Sequence, residues 1–220
     1  MYHSISPSKH QGDLWSVDLE YFSQHMEHIN ATKDLTIHSS KELFFGIPDD
    51  GIVITFDDGY SDNFDYAAPI LFDLNIPFSI FVVSDYIKDA KKNYMNPSQL
   101  RELSKNPLVS IGSHSKTHVP LTDCSKQELK NEISGSKADL EDLLGKEVSM
   151  FSYPHGKFNT QIKEMVAKDY KLAYTSHYDV NEPSQDKLAL NRNEIWGSDN
   201  LLNFKGKLNG DWDWMKYRSL

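Results

Sequence analysis

The chain has 220 residues, 39% of them hydrophobic and 25% charged, with a formal net charge of −9. That length and composition describe a soluble globular protein with enough apolar residue for a sizeable core, read as one domain over residues 1–220. The acidic balance argues against nucleic acid or an anionic membrane as the main partner, and no stretch approaches the ~20 apolar residues of a membrane span. Cys124 is the single cysteine, which excludes an internal disulfide. No charged-then-apolar leader is visible before Met1-Tyr2-His3; the expectation is a cytoplasmic protein, or a secreted or periplasmic one if a leader has been removed.

In chain order, the first residues place His3 among aromatic and apolar neighbours, where composition alone suggests only a frayed terminus. From Ser16 onward Phe22, Met26 and Ile29 fall at helical spacing, with Asp18 and Glu20 in the first turn, where negative charge suits the dipole. His25 and His28 of this helix are expected to be solvated. A short helix from Ser40 to Phe45 stops at Gly46, ahead of Pro48. Gly51 to Phe56 then forms a β-branched and aromatic run that ends in Asp57-Asp58-Gly59. It reads as a buried strand with two carboxylates at its C-terminal edge, where α/β folds carry their sites. Two carboxylates that close repel, and one is costly to keep ionised without a cation. The plain alternative is a solvated turn, since Asp and Gly both favour turns.

Asp65 to Leu74 predicts a helix with Ala67, Ile70, Leu71 and Leu74 as its apolar stripe, and Phe78 to Val83 a second buried strand. Asn96-Pro97 opens a helix through Leu103, and Leu108 to Gly112 is a third strand followed by Ser113 to His118. Ser125 and Glu128 form a capping box for a long helix to about Leu144, ended by Gly145. Val148 to Tyr153 is a fourth strand, Asn159 caps a helix through Val166, Leu172 to Ser176 is a fifth strand, and Leu188 to Trp196 a sixth. This alternation predicts an α/β fold on a parallel sheet, open or closed into a barrel. The residues with chemistry to offer all follow strand C-termini, which favours an enzyme over a binding module.

His114 and His118 are four apart, so a helical turn would bring both to one face, within reach of one metal. Alone, such a pair is more often two surface histidines. With an aspartate from another strand end it becomes two imidazoles and a carboxylate, leaving positions open for water and substrate. The adjacent carboxylate is then placed to act as a general base.

Thr55-Phe56-Asp57-Asp58-Gly59, Ser113 to His118, and Phe151-Ser152-Tyr153-Pro154-His155-Gly156 resemble, in order and spacing, the first three motifs of the NodB-homology polysaccharide deacetylases, carbohydrate esterase family 4. The similarity covers roughly residues 50 to 196. It implies a distorted (β/α) barrel and metal-dependent removal of acetyl groups from the N-acetylated sugars of a polysaccharide or its precursor. Matched position by position, Asp58, His114 and His118 would hold one divalent metal, zinc (Zn2+) first, with cobalt, nickel or iron also suited, and Asp57 would be the base. Tyr153 and His155 fall at the oxyanion and substrate, the His155 backbone N–H standing where the family's tyrosine supplies its own.

Two positions depart from the family pattern. Ser152 stands where an arginine usually orients the base, and Arg192 is the candidate substitute. The late Leu-x-His motif that carries the acid is missing, His177 being the last histidine of the chain. In the branch resembling the poly-N-acetylglucosamine deacetylases, that motif is permuted to the N-terminus as a Tyr-His pair. Tyr2-His3 fits it, which makes His3 the acid. Readings from other classes are a catalytically inactive carbohydrate-binding barrel and an aspartate-dependent phosphatase, though the latter needs Asp-x-Asp where this chain has adjacent aspartates. Trp212 and Trp214 suit either a sugar platform or the packing of a C-terminal tail.

Overall fold

A computed structural model describes residues 1–7 and 13–217. Two short parallel strands, β1 (Ser4–Ser6) and β2 (Ser16–Asp18), pair Ser4 with Ser16 and lead into α1 (Leu19–Ala31). Asp18 caps α1 by accepting from the Glu20 N–H at 2.9 Å, and Phe22, Met26 and Ile29 form its buried face. His25 lies on that face too and is not solvated. It is fully buried, stacked on Phe204 with ring centroids 4.1 Å apart, and its Nδ1 lies 3.2 Å from the Tyr2 hydroxyl. Helix geometry puts position 25 between Phe22 and Ile29 on one stripe, and Tyr2 supplies the polar partner that a buried imidazole needs. His28 is half-buried. The helix expected from Ser40 to Phe45 is a single 3-10 turn, Glu42–Phe44.

β3 (Ile54–Phe56) is followed by a π-helical turn, Asn63–Ala67, that continues into α2 (Ala68–Asp73). β4 (Phe78–Val82), α3 (Ser84–Lys88), α4 (Pro97–Leu103) and β5 (Val109–Ser113) come next. Capping boxes start α4 (Asn96 with Gln99) and α5 (Lys126–Lys130; Ser125 with Glu128). A second π-helical turn, Asn131–Gly135, joins α5 to α6 (Ser136–Leu144), and Gly145 ends the run in the left-handed conformation, φ 64°. β6 (Met150–Ser152), α7 (Thr160–Asp169) and β7 (Leu172–Tyr174) complete the alternation, and α8 (Leu201–Leu208) packs on α1. No helix among the described residues is long and apolar enough to cross a membrane.

The central sheet runs β3-β4-β5-β6-β7, parallel throughout, with Phe56, Phe78, Ile80 and Phe151 fully buried in it. Parallel neighbours in sequential order require a helical crossover at each step, and crossovers of one hand curl the sheet. Two irregular segments span the gap between β7 and β3. Leu190 bridges to Tyr174, its N–H donating to the Ala173 carbonyl at 2.9 Å, and the Ile195 N–H donates to Met1 at 2.9 Å. Tyr2 in turn donates to the Thr55 carbonyl at 2.8 Å and accepts from the Asp57 N–H at 3.0 Å. The result is a distorted (β/α) barrel. The predicted sixth strand is therefore an irregular stave. Its irregularity has a cause at residue 191, where the Asn181 side chain bonds both the N–H (2.8 Å) and the carbonyl (2.9 Å), taking up groups a strand neighbour would have used.

Candidate active site

Asp57 follows the last residue of β3 and is buried, 3% exposed. Its carboxylate is gripped by Arg192, Nη1 to Oδ1 and Nη2 to Oδ2 both at 2.7 Å, and Oδ2 also accepts from the Ser152 hydroxyl at 3.0 Å. Arg192 donates as well to the Ser152 hydroxyl at 2.8 Å and to the Thr175 carbonyl at 2.7 Å, so its fork is fixed on both sides. Burial opposes the charge on Asp57, but the Arg192 guanidinium outweighs it and holds the carboxyl well below the usual carboxylate range. Ser152 and Arg192 thus occupy one hydrogen-bonded site, 40 residues apart in sequence.

Asp58 adopts a left-handed backbone, φ 72°, and Gly59 follows at φ 79°. A Cβ on Gly59 would lie 2.8 Å from a Val82 methyl, so a side chain there would displace β4. Asp58 faces His114 and His118: its Oδ1 lies 3.5 Å from His114 Nε2 and 3.3 Å from His118 Nε2. One ligand atom from each of the three lies within 4.8 Å of the others. His114 Nδ1 is 2.8 Å from the Ser152 carbonyl, which can only accept; Nδ1 therefore carries the proton and Nε2 presents its lone pair to Asp58. Burial lowers His114 to about 3, and burial followed by His155 lowers His118 to about 4, so both imidazoles are neutral at neutral pH. Burial, then Asp57, pushes Asp58 up to about 7, and its Oδ1 has no hydrogen-bond partner among the described residues. An orphaned carboxylate oxygen between two neutral imidazoles is the chemistry of a divalent-metal site, and these residues fit one.

The 114–118 segment is not the helical turn that a four-residue spacing suggests. Ser115 and His118 are both left-handed, φ 66° and 65°, and the two rings come within 4.8 Å through a loop. Glu132, in the second π-helical turn and 5% exposed, braces that loop. It accepts from the Lys116 N–H at 3.0 Å, the Thr117 N–H at 2.9 Å and the Thr117 hydroxyl at 2.8 Å. The Ser115 hydroxyl accepts from the His118 N–H at 3.0 Å. His3, half-buried, stands at the same mouth; burial lowers it to about 4, with Asp57 and Arg192 among the charges that act on it. Asn63 holds its backbone, Nδ2 donating to the His3 carbonyl at 2.8 Å.

The sequence pattern of the polysaccharide deacetylases matches residues 47–174, more than half of the chain. The chain belongs to that family. Family membership makes it a deacetylase-type hydrolase. YxkH of Bacillus subtilis (strain 168), whose name assigns it provisionally to the polysaccharide deacetylases, is 29% identical over 201 residues, covering 87% of this chain and 68% of that one. The fold is similar to that of the Streptococcus pyogenes deacetylase PplD in complex with acetate, with a TM-score of 0.85 and 22% identity over 94% of this chain and 95% of that one. IcaB from Ammonifex degensii aligns with a TM-score of 0.78 and 21% identity over 88% of this chain and 89% of that one.

Within this deacetylase fold the third motif splits. His155 is exposed, left-handed at φ 57°, and its ring meets His118 edge-on at 4.7 Å. Tyr153 corrects the expectation placed on it. Its ring is fully buried against Phe158, centroids 4.5 Å apart, its hydroxyl donates to the Leu188 carbonyl at 3.0 Å, and its N–H donates to Tyr174 at 3.0 Å. Strand alternation accounts for this: Ser152 points to Asp57, so Tyr153 points away and has no donor left for an oxyanion. Trp212 packs edge-on against Trp196, centroids 6.1 Å apart, over the Lys207 ammonium, which makes it a packed part of the tail, and Trp214 stacks on Trp212 at 6.4 Å with 52% of its surface exposed. Glu132 and Asn63 drew no notice in the sequence, where each is one polar residue in a helix. Only their contacts mark them.

Proposed function

We propose that this deacetylase is metal-dependent and removes acetyl groups from the N-acetylated amino sugars of a polysaccharide or its precursor. One observation carries the reading. Two adjacent aspartates are given opposite surroundings: Arg192 donates to both carboxylate oxygens of Asp57, while Asp58 Oδ1 lies between the His114 and His118 imidazoles with no hydrogen-bond partner among the described residues. Such a split separates a proton acceptor from a cation ligand within one dipeptide. Asp58, His114 and His118 would hold a divalent ion, zinc first and cobalt, nickel or iron as alternatives, and when bound it supplies Lewis acidity toward the acetyl carbonyl and acidifies water. Asp57 takes the proton of the attacking water, its geometry locked by Arg192 and Ser152. The His155 N–H donates to the developing oxyanion, and His3, neutral at rest, is charged by the proton that water releases to Asp57 and delivers it to the leaving amine. The test is metal analysis of the purified chain combined with acetate release from a panel of N-acetylated oligosaccharides. Stoichiometric divalent metal, lost in the His114→Ala, His118→Ala double variant together with acetate release, is the expected result. Metal content unchanged in that double variant would sink the assignment.

A further inference from the structure

Trp15 immediately precedes β2, and its indole packs on the His3 imidazole with ring centroids 4.9 Å apart and an interplanar angle of 58°. It still leaves 42% of its surface in solvent, beside Leu14 at 47%. Tryptophan is largely buried in most proteins, so a large exposed ring touching a proposed acid is an informative exception. Nor is the ring on a loose segment. The Trp15 N–H donates to Asp13 Oδ1 at 3.0 Å, its carbonyl accepts from the Ser4 N–H at 3.2 Å, and the Leu14 carbonyl accepts from the Gly197 N–H at 2.9 Å. Gly197 is pressed against this backbone so closely that a Cβ would lie 2.5 Å from the carbonyl oxygens of both Asp13 and Ser16. The barrel's irregular stave therefore holds the Trp15 main chain from one side and β1 holds it from the other.

A rigid, flat, apolar face at a mouth that handles sugars suits the C–H face of a pyranose, which buries apolar area without asking for a hydrogen bond. Distance selects which sugar. An amine protonated by His3 must lie within hydrogen-bond reach of the imidazole, and the ring bearing that amine then extends over the indole that abuts it. We infer that Trp15 is the stacking floor of a pyranose subsite, taking the amino sugar whose nitrogen His3 protonates. The inference rests on the deacetylase mechanism proposed above and adds a residue that no motif contains.

Calorimetric titration with oligomers of N-acetylglucosamine, run beside steady-state acetate release, tests it in the metal-loaded wild type and in Trp15→Ala, Trp15→Phe and Trp214→Ala. Trp15→Ala should raise both Kd and KM by about tenfold or more while changing kcat by less than about threefold. Trp15→Phe should recover most of the affinity, and Trp214→Ala, whose 52% exposed ring lies on the tail, should behave as wild type. Unchanged Kd and KM in Trp15→Ala overturn the subsite. A fall in kcat alone overturns it as well, because Trp15 would then act only by seating His3. Failure of the wild type to bind any of these oligomers has the same consequence. Trp15-dependent binding without acetate release from any N-acetylated oligosaccharide keeps the subsite and overturns the deacetylase mechanism.

Discussion

Asp57 and Asp58 would point to opposite faces if β3 simply continued, because successive strand residues alternate. The left-handed φ of 72° at Asp58 breaks that alternation, so both carboxylates reach the mouth. Their surroundings then part them. Asp57 accepts three hydrogen bonds from Arg192 and Ser152, whereas Asp58 Oδ1 accepts none among the described residues. Asp57→Asn should therefore leave metal bound while lowering turnover roughly 10²–10⁴-fold, the usual range for a general base. Metal analysis beside acetate release checks both halves, and loss of metal in this variant would reassign Asp57 as a ligand. His25 yields a second expectation. Burial lowers it to about 4 in the folded chain against 6.5 for the free side chain, so between those values the unfolded state binds more protons. The associated stability is present above pH ~6.5 and is lost as pH falls toward 4. Melting temperatures of wild type and His25→Gln, followed from neutral to acid pH, should converge as pH falls. His3, His114 and His118 titrate in both proteins, so parallel curves would show that His25 does not carry this effect.

The helix α5 to α6 is one long run interrupted by the π-helical turn Asn131–Gly135, and such turns recur at functional sites. Here the turn carries Glu132 to the loop between His114 and His118, where two backbone N–H groups and the Thr117 hydroxyl donate to it at 2.8 to 3.0 Å. That loop includes two left-handed residues, Ser115 and His118, conformations that persist only when their surroundings enforce them. Removing the brace should loosen the ligands without removing them. Glu132→Ala should weaken metal affinity roughly 10–100-fold, the range for outer partners of metal ligands, and Glu132→Gln should weaken it less. Competition with a coloured chelator reads the affinity directly. An affinity equal to wild type in Glu132→Ala would mean that the loop holds its shape unaided.

For the whole molecule, closure of the barrel and construction of the mouth are one event. Tyr2 is 1% exposed, edge-on to Phe22 with centroids 5.2 Å apart and stacked on Phe56 at 5.6 Å. The stave it anchors also carries His3, and the neighbouring stave carries Arg192 to Asp57. Truncating a buried aromatic ring costs about 3–5 kcal/mol, which for a chain of this size lowers Tm by roughly 6–20 °C. Tyr2→Ala should show that loss in thermal unfolding and should also lower kcat, since His3 hangs from the same segment. A variant with wild-type turnover and a lowered Tm would separate the stave from the chemistry and count against His3 as the acid.

The amino-acid sequence determined what depends on neighbours along the chain. The apolar runs of β3, β4 and β5, the capping boxes of α4 and α5, and the left-handed stop at Gly145 were legible because period, caps and turns are local. The order and spacing of the three motifs were enough to identify the family. Tertiary structure decided everything that joins distant positions. Arg192 meets Asp57 across 135 residues, and the Tyr2 partner that makes His25 a core residue lies 23 residues away. Strand alternation after Ser152 sends Tyr153 into the core, and the Asn181 amide turns the expected last strand into an irregular stave. Periodicity marks which face of an element is apolar, but not which other element will lie against it. Here that choice is made by barrel closure, which brings the Met1 to His3 segment and the stave carrying Arg192 together beside the carboxylates that follow β3.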